Sequence, residues 1–283
     1  MKRLVCLGLG LLLLIPSLLS LTDRRKAAPP PERLGYQPSF EVSFFTSLEH
    51  RYLLSELLFY DAIFYYGSMV DRPEERPDYG MILKYVDSAT RLNPYNIDAY
   101  YFGQAILTWD AGMVKDMNHI LERGVKKRTW DFYPPFFIGF NNAFFLNDSH
   151  SAAQYMELAS KLNPTIAFLP NLVGRLYYQA NKTEQAIQYL KVVYRGTSNQ
   201  AVRKGILARI SVLEAILFLE DAVRKFERQT GQAPVKLSEL VSARILKAIP
   251  PDPYGGSFYY DRSDRRVKTT SKMAFQGAEH DRH

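Results

Sequence analysis

The chain has 283 residues, 47% apolar and 23% charged, with 13% aromatics and one cysteine. That balance excludes a disordered, collagen-like, coiled-coil or disulfide-stapled protein and is enough for a sizeable core. The net charge of +7 is uneven: residues 1–33 carry +4, residues 34–200 carry −2 and residues 201–283 carry +5. No single basic face follows from it, and no nucleic-acid reader motif is present.

Residues 1–26 read as a membrane anchor or signal segment. Leu4 to Leu21 holds no charge. As a helix it spans ~27 Å, close to the thickness of a hydrocarbon core. The run exceeds a usual signal-peptide core, and Leu18 makes a poor −3 residue for cleavage after Ser20. Both points favour an uncleaved anchor over a cleaved signal. Lys2 and Arg3 before the run nearly balance Arg24, Arg25 and Lys26 after it. A first span that exports a long C-terminal domain places the bulk outside the cytoplasm. Cys6, the only cysteine, lies inside the apolar run, and no disulfide within the chain is possible. It follows Val5 and reads as a small apolar residue, not as a lipidated one. Residues 27–39, AAPPPERLGYQPS, form a Pro-rich, semi-rigid spacer.

Residues 40–200 carry a helical pattern with an internal repeat. His50 to Met69 is apolar-rich, and a Pro-containing loop follows it. Arg91-Leu92-Asn93-Pro94 returns as Lys161-Leu162-Asn163-Pro164. Gly103, Gly139 and Gly174 recur at intervals near 35, as do Ala89, Gly124 and Ala159. A small residue at such positions lets a facing helix approach closely. Pro94 and Pro164 end the helix before them, because the residue preceding proline resists the α region. The region resembles the tetratricopeptide repeat family, whose unit is a helix–turn–helix of 34 residues. Val173-Gly174, Tyr177, Ala186 and Leu190 carry the best match. Ile138-Gly139, Ala152, Tyr155, Ala159 and Pro164 carry a second. Phe102-Gly103 starts a weaker unit, and the family's Trp position is occupied in none.

That resemblance implies a concave face for a protein or peptide partner. By position it would be lined by Tyr100, Gln104 and Leu107, then Phe136, Phe140 and Ala143, then Asn171, Arg175 and Tyr178. Asn171 and Arg175, one turn apart, suit a carboxylate. The alternative is that these side chains belong to an internally packed or solvated face.

Residues 201–272 differ. Val202 to Arg228 reads as one long helix, with Ile206, Ile210, Leu213 and Leu217 on a stripe and Gly231 as its stop. A short helix around Leu237 and Leu240 follows. Two short strands, 257–261 and 266–271, flank a polar turn. The segment Pro250-Pro251-Asp252-Pro253-Tyr254-Gly255 resembles the loop of type II secretion pseudopilins. The N-terminal helix and calcium-loop acids of that family have no counterpart here. Residues 273–283 form a polar tail.

The fold class expected is mainly α: a tetratricopeptide-like array behind an N-terminal membrane helix, with a small α+β C-terminal module ending in a hairpin. No catalytic, cofactor-binding or metal-binding residue is assigned. His50, His119, His150, His280 and His283 are scattered, and no Cys/His spacing suits zinc. The function expected is a scaffold at a bacterial inner membrane with its bulk in the periplasm. It would bind protein partners, with a secretion, pilus or export apparatus as the setting. The alternative is an envelope enzyme or accessory subunit whose site arises only in the fold.

Overall fold

A computed structural model describes residues 34–70, 72 and 74–271, together with positions 16, 17 and 20. The apolar run Leu4–Leu21 and the polar tail lie almost wholly outside the described residues. Among the described residues no helix is long and apolar enough to cross a membrane. The chain divides into two compact units, residues 1–123 and 124–283.

In the first unit, α1 (Phe40–Ser47) leads through one turn of 3-10 helix to α2 (Arg51–Val70). Leu48 between them sits at φ +47°, a region that a β-carbon disfavours. A Pro-containing loop follows, then α3 (Tyr79–Leu92), whose first turn is capped by the Asp78 carboxylate accepting from the Met81 N–H at 2.9 Å. Leu58, Ala62, Tyr65 and Met69 form the buried stripe of α2, while α3 buries Ile82, Tyr85, Val86 and Ala89. The Ser55 hydroxyl ties the two helices by donating to the Ala89 carbonyl at 2.8 Å. Asn93 ends α3 and its side chain accepts from the Tyr95 N–H, so the Leu-Asn-Pro signal is a helix stop with an Asx turn. Arg123 reaches back to α3, donating to the Thr90 hydroxyl and to Asp87.

The next helix departs from a regular repeat. α4 (Ile97–Gly103) runs directly into seven residues of π-helix, Gln104–Asp110, before Gly112 turns the chain at φ +68°. A π turn absorbs extra residues in one helix. The π turn falls where the repeat pattern weakens beyond Gly103. α5 (Val114–Lys127) follows.

The second unit holds two hairpins, α6 (Tyr133–Phe144) with α7 (Ser149–Leu162), and α8 (Leu169–Gln179) with α9 (Thr183–Gly196). The recurrent glycines are where helices meet. A β-carbon on Gly139 would stand 2.7 Å from Met156 Cγ and 3.1 Å from the Met156 backbone nitrogen. On Gly174 it would stand 3.0 Å from Leu190 Cδ1, and on Gly103, in the first unit, 2.9 Å from Met117 and Val86. The matching small residues Ala152, Ala159 and Ala186 are fully buried.

The long C-terminal helix is α10 (Gln200–Thr230), two residues longer at each end than its sequence signals, and Gly231 stops it at φ +75°. It buries Ile206, Ile210 and Leu213, and also a second row, Val212, Ile216, Leu219 and Val223. A short α11 (Ser238–Ser242) precedes the loop and a two-stranded antiparallel hairpin, β1 (Phe258–Asp261) and β2 (Arg266–Thr269). Phe258, Tyr260 and Val267 close the core formed with α7 to α10.

Asp252 explains the Pro-x-Asp-Pro-aromatic-Gly loop. Its carboxylate accepts from the Tyr254 N–H at 2.9 Å, from the Ser271 hydroxyl at 2.7 Å and from the Thr269 hydroxyl. Gly256 has no room for a side chain there, since a β-carbon would lie 2.7 Å from the Ser271 nitrogen. The loop is a clasp on the end of β2. Burial pushes the Asp252 carboxyl up, but the hydrogen bonds from Thr269, Tyr254 and Ser271 outweigh it and hold the group below the usual carboxylate range.

Two outcomes test this packing. Gly139→Ala should cost ~1–3 kcal/mol of stability, because Met156 and its backbone cannot both retreat. Gly67→Ala, at a helical site where a β-carbon meets nothing within 4 Å, should be neutral or add ~0.5–1 kcal/mol. Urea unfolding of the two variants measures the contrast, and equal effects would remove Gly139 as a helix contact. Asp252→Ala should free the β2 end at a cost of ~1.5–3 kcal/mol, read by amide exchange at Ser271. A depressed native pKa means that this contribution is full above the ordinary carboxylate range and fades as pH falls below it. Protection of Ser271 should therefore be constant from neutral pH to about 5 and fall only in stronger acid.

Candidate partner-binding faces

The residues expected to line a concave face fall in both units. In the first, Tyr100 on α4 is buried to 1% exposure and Gln104 opens the π-helix, where its side-chain carbonyl accepts from Thr108 at 3.3 Å. Leu107 is fully buried. These side chains sit within packing.

In the second unit, Phe136, Phe140 and Ala143 on α6 are half-buried and pack against the core. Phe140 also stacks on Phe144 at 5.4 Å. Asn171, Arg175 and Tyr178 share one side of α8, as their spacing implies. The structure brings the chain's own C-terminal module onto that side. Arg209 of α10 donates to the Asn171 carbonyl at 2.8 Å. The Arg266 guanidinium lies 4.4 Å from the centre of the Tyr178 ring and donates to the Tyr178 carbonyl at 3.2 Å. The Tyr178 hydroxyl donates to the Val267 carbonyl at 3.3 Å, and burial raises its pKa. Tyr178 is thus under the hairpin.

The electrostatics of this side are unusual at two points. Glu220 of α10 is half-buried, and burial raises its pKa even though it accepts from the Val267 N–H and faces Arg266. Arg175 is half-buried too. Burial first, and the Arg209 guanidinium second, lowers its basicity. Arg175 Nε and Asn171 Oδ1 are buried without a hydrogen-bond partner among the described residues. Such groups cost free energy unless something satisfies them.

A second face was not expected from the sequence. An open groove of about 1100 Å³ runs between α7, α8 and α9 and the segment that follows α9. Pro164, Pro170, Tyr177, Tyr189, Val192 and Val193 supply most of its apolar lining. The Tyr177 hydroxyl donates to Glu157 at 2.6 Å, and that carboxylate also pairs with Lys161 at 2.7 Å. Burial and the Glu157 hydrogen bond raise the Tyr177 pKa. The Tyr189 hydroxyl donates to Ser160 at 2.9 Å, and burial pushes its pKa up to about 12. The tyrosine hydroxyls are therefore spent on α7, and the rings, buried in the core, floor the groove. The adjacent pair Val192-Val193 was the readable signal, because it widens the apolar stripe of α9 beyond one helix contact.

Among the described residues no group of three His, Cys, Asp or Glu side chains is placed to hold a metal ion. No family model and no curated protein matches the chain. One solved structure that is similar is MamA, residues 41 to the end, from Desulfovibrio magneticus RS-1. It is 16% identical, with a TM-score of 0.34, over 56% of this chain and 96% of that one. At that score the likeness carries no weight here, and the repeat reading stands on the glycine contacts of the chain itself. None of these comparisons supports the resemblance to pseudopilins.

Proposed function

We propose that the chain is a scaffold of helical hairpins that holds a protein partner, with a binding rather than a catalytic role. One observation carries this reading: Arg175 and Asn171 present buried, unsatisfied polar atoms on the same side of α8. A side-chain or C-terminal carboxylate from an acidic peptide would satisfy the Arg175 guanidinium and its charge, and a backbone N–H of the same peptide would satisfy the Asn171 oxygen, which only accepts. The apolar run Leu4–Leu21, followed by Arg24, Arg25 and Lys26, would tether the scaffold to a bacterial inner membrane with the bulk in the periplasm. A secretion, pilus or export apparatus is the setting that this placement suggests.

The groove between α7, α8 and α9 supports a second reading, in which an apolar segment of the partner docks on Tyr177, Tyr189 and Val192. Val192 is 64% exposed, so replacing it leaves the core contacts in place. Affinity capture from envelope extracts with the full chain separates the two. Arg175→Ala should weaken capture by ~1–3 kcal/mol if the acidic peptide is the ligand, with Arg175→Lys restoring part of it. Val192→Asp should then have no effect. If Val192→Asp abolishes capture and Arg175→Ala does not, the groove is the site. Unchanged capture in both variants would sink the two readings together.

A further inference from the structure

α2 is apolar on two sides, and only one of them is used. Leu58, Ala62, Tyr65 and Met69 pack inward. Leu53, Leu57, Tyr60 and Phe64 repeat the same i, i+4, i+7, i+11 spacing on another side and stand open at 58%, 51%, 48% and 70%. Just upstream, Phe45 at 73% and Leu48 at 77% are more exposed still. Leu48 holds its outward position at a positive φ that its side chain disfavours. A helix that is apolar on both sides is built to be covered twice. At ~200 Å² per large side chain the six residues expose roughly 750 Å², beyond the largest apolar patch of many monomers.

We propose that this surface lies on a lipid bilayer, and specifically on zwitterionic headgroups and the acyl boundary beneath them. This rests on the reading of Leu4–Leu21 as an anchor. The chain outside the described residues is what points to lipid. The uncharged run ends at Leu21, the basic triplet follows, and residues 22–39 together reach at most ~65 Å when fully extended. α1 and α2 are the first helices after that tether, so they are confined near the headgroups. Confinement makes even weak partitioning an intramolecular event. Phe, Tyr and Leu are the side chains that settle at the interface. Residues 40–70 carry Glu41, Glu49, Glu56 and Asp61 against Arg51. That net negative charge disfavours an anionic leaflet. Glu56 and Asp61 flank the stripe on its two sides, so a second copy docked stripe to stripe would bring like charges together.

The test uses the full chain with Cys6→Ser, reconstituted in phosphatidylcholine vesicles. A nitroxide is placed through Leu57→Cys or Phe64→Cys, with Lys84→Cys as the solvent control. The expected result is several-fold higher collision with oxygen, relative to a water-soluble nickel chelate, at the stripe than at the control. In the same vesicles Leu53→Glu should lower that ratio at the Phe64→Cys label toward the control, with circular dichroism unchanged. Water-like labels on protein that survives a carbonate wash would overturn the docking while leaving the anchor intact. Dipolar broadening between labels would overturn it in favour of a second copy. Lipid-exposed labels on protein that the carbonate wash then removes would keep the docking and defeat the anchor. Water-like labels on protein that washes off would defeat both.

Discussion

Close approach of helices at three glycines is the constraint on which the rest of the structure depends. At Gly139 the facing helix is so near that its backbone, and not only a side chain, occupies the space of a β-carbon. A helix pair packed this tightly must offer small residues from the partner as well, and Ala152, Ala159 and Ala186 answer that need. The distance between successive glycines then sets the size of the repeating unit. Just after Gly103 the helix departs from the α pattern as a π turn.

Stacking hairpins leaves an end to be covered, because each unit buries one side on its neighbour. In the second unit α10 covers it. Its two apolar rows cannot both be satisfied by α9 alone, and the hairpin supplies the remaining surface with Phe258, Tyr260 and Val267. The polar cost of that closure is met locally. Glu220 is drawn into a half-buried place where it accepts from the Val267 N–H, and Arg266 both faces it and caps the Tyr178 ring. Asp252 then fastens the strand end with two hydrogen bonds, from Thr269 and Ser271, while a third from the Tyr254 N–H holds the loop. Arg175 is left beside Arg209 with a buried nitrogen unsatisfied, on the same side of α8 that this closure roofs at Tyr178.

The covering of α8 changes what the array can offer a partner. Tyr178 and the half-buried Phe136 and Phe140 serve the core, and the residues left partly open on this side are Arg175 and Asn171. On the other side of the same hairpins, Tyr177 and Tyr189 give their hydroxyls to α7, and their largely buried rings floor the groove beside the exposed Val192.

Much of the local structure was legible because its causes are local. Asn93-Pro94 and Asn163-Pro164 end helices through backbone restriction and an Asx turn. Gly231 stops α10, Asp261 to Arg265 turns the hairpin, and the 35-residue spacing of small residues marks the helix contacts. The second apolar row of α10, Val212 to Val223, was also on the page as a sign that this helix is covered twice. What the sequence could not decide is which side of a helix stays open. Tyr178 reads as a lining residue by its position in the repeat, yet Val267 and Arg266, nearly ninety positions later, bury it. Side-chain spacing determines faces within one helix, whereas only the tertiary fold decides which distant segment comes to lie on each face.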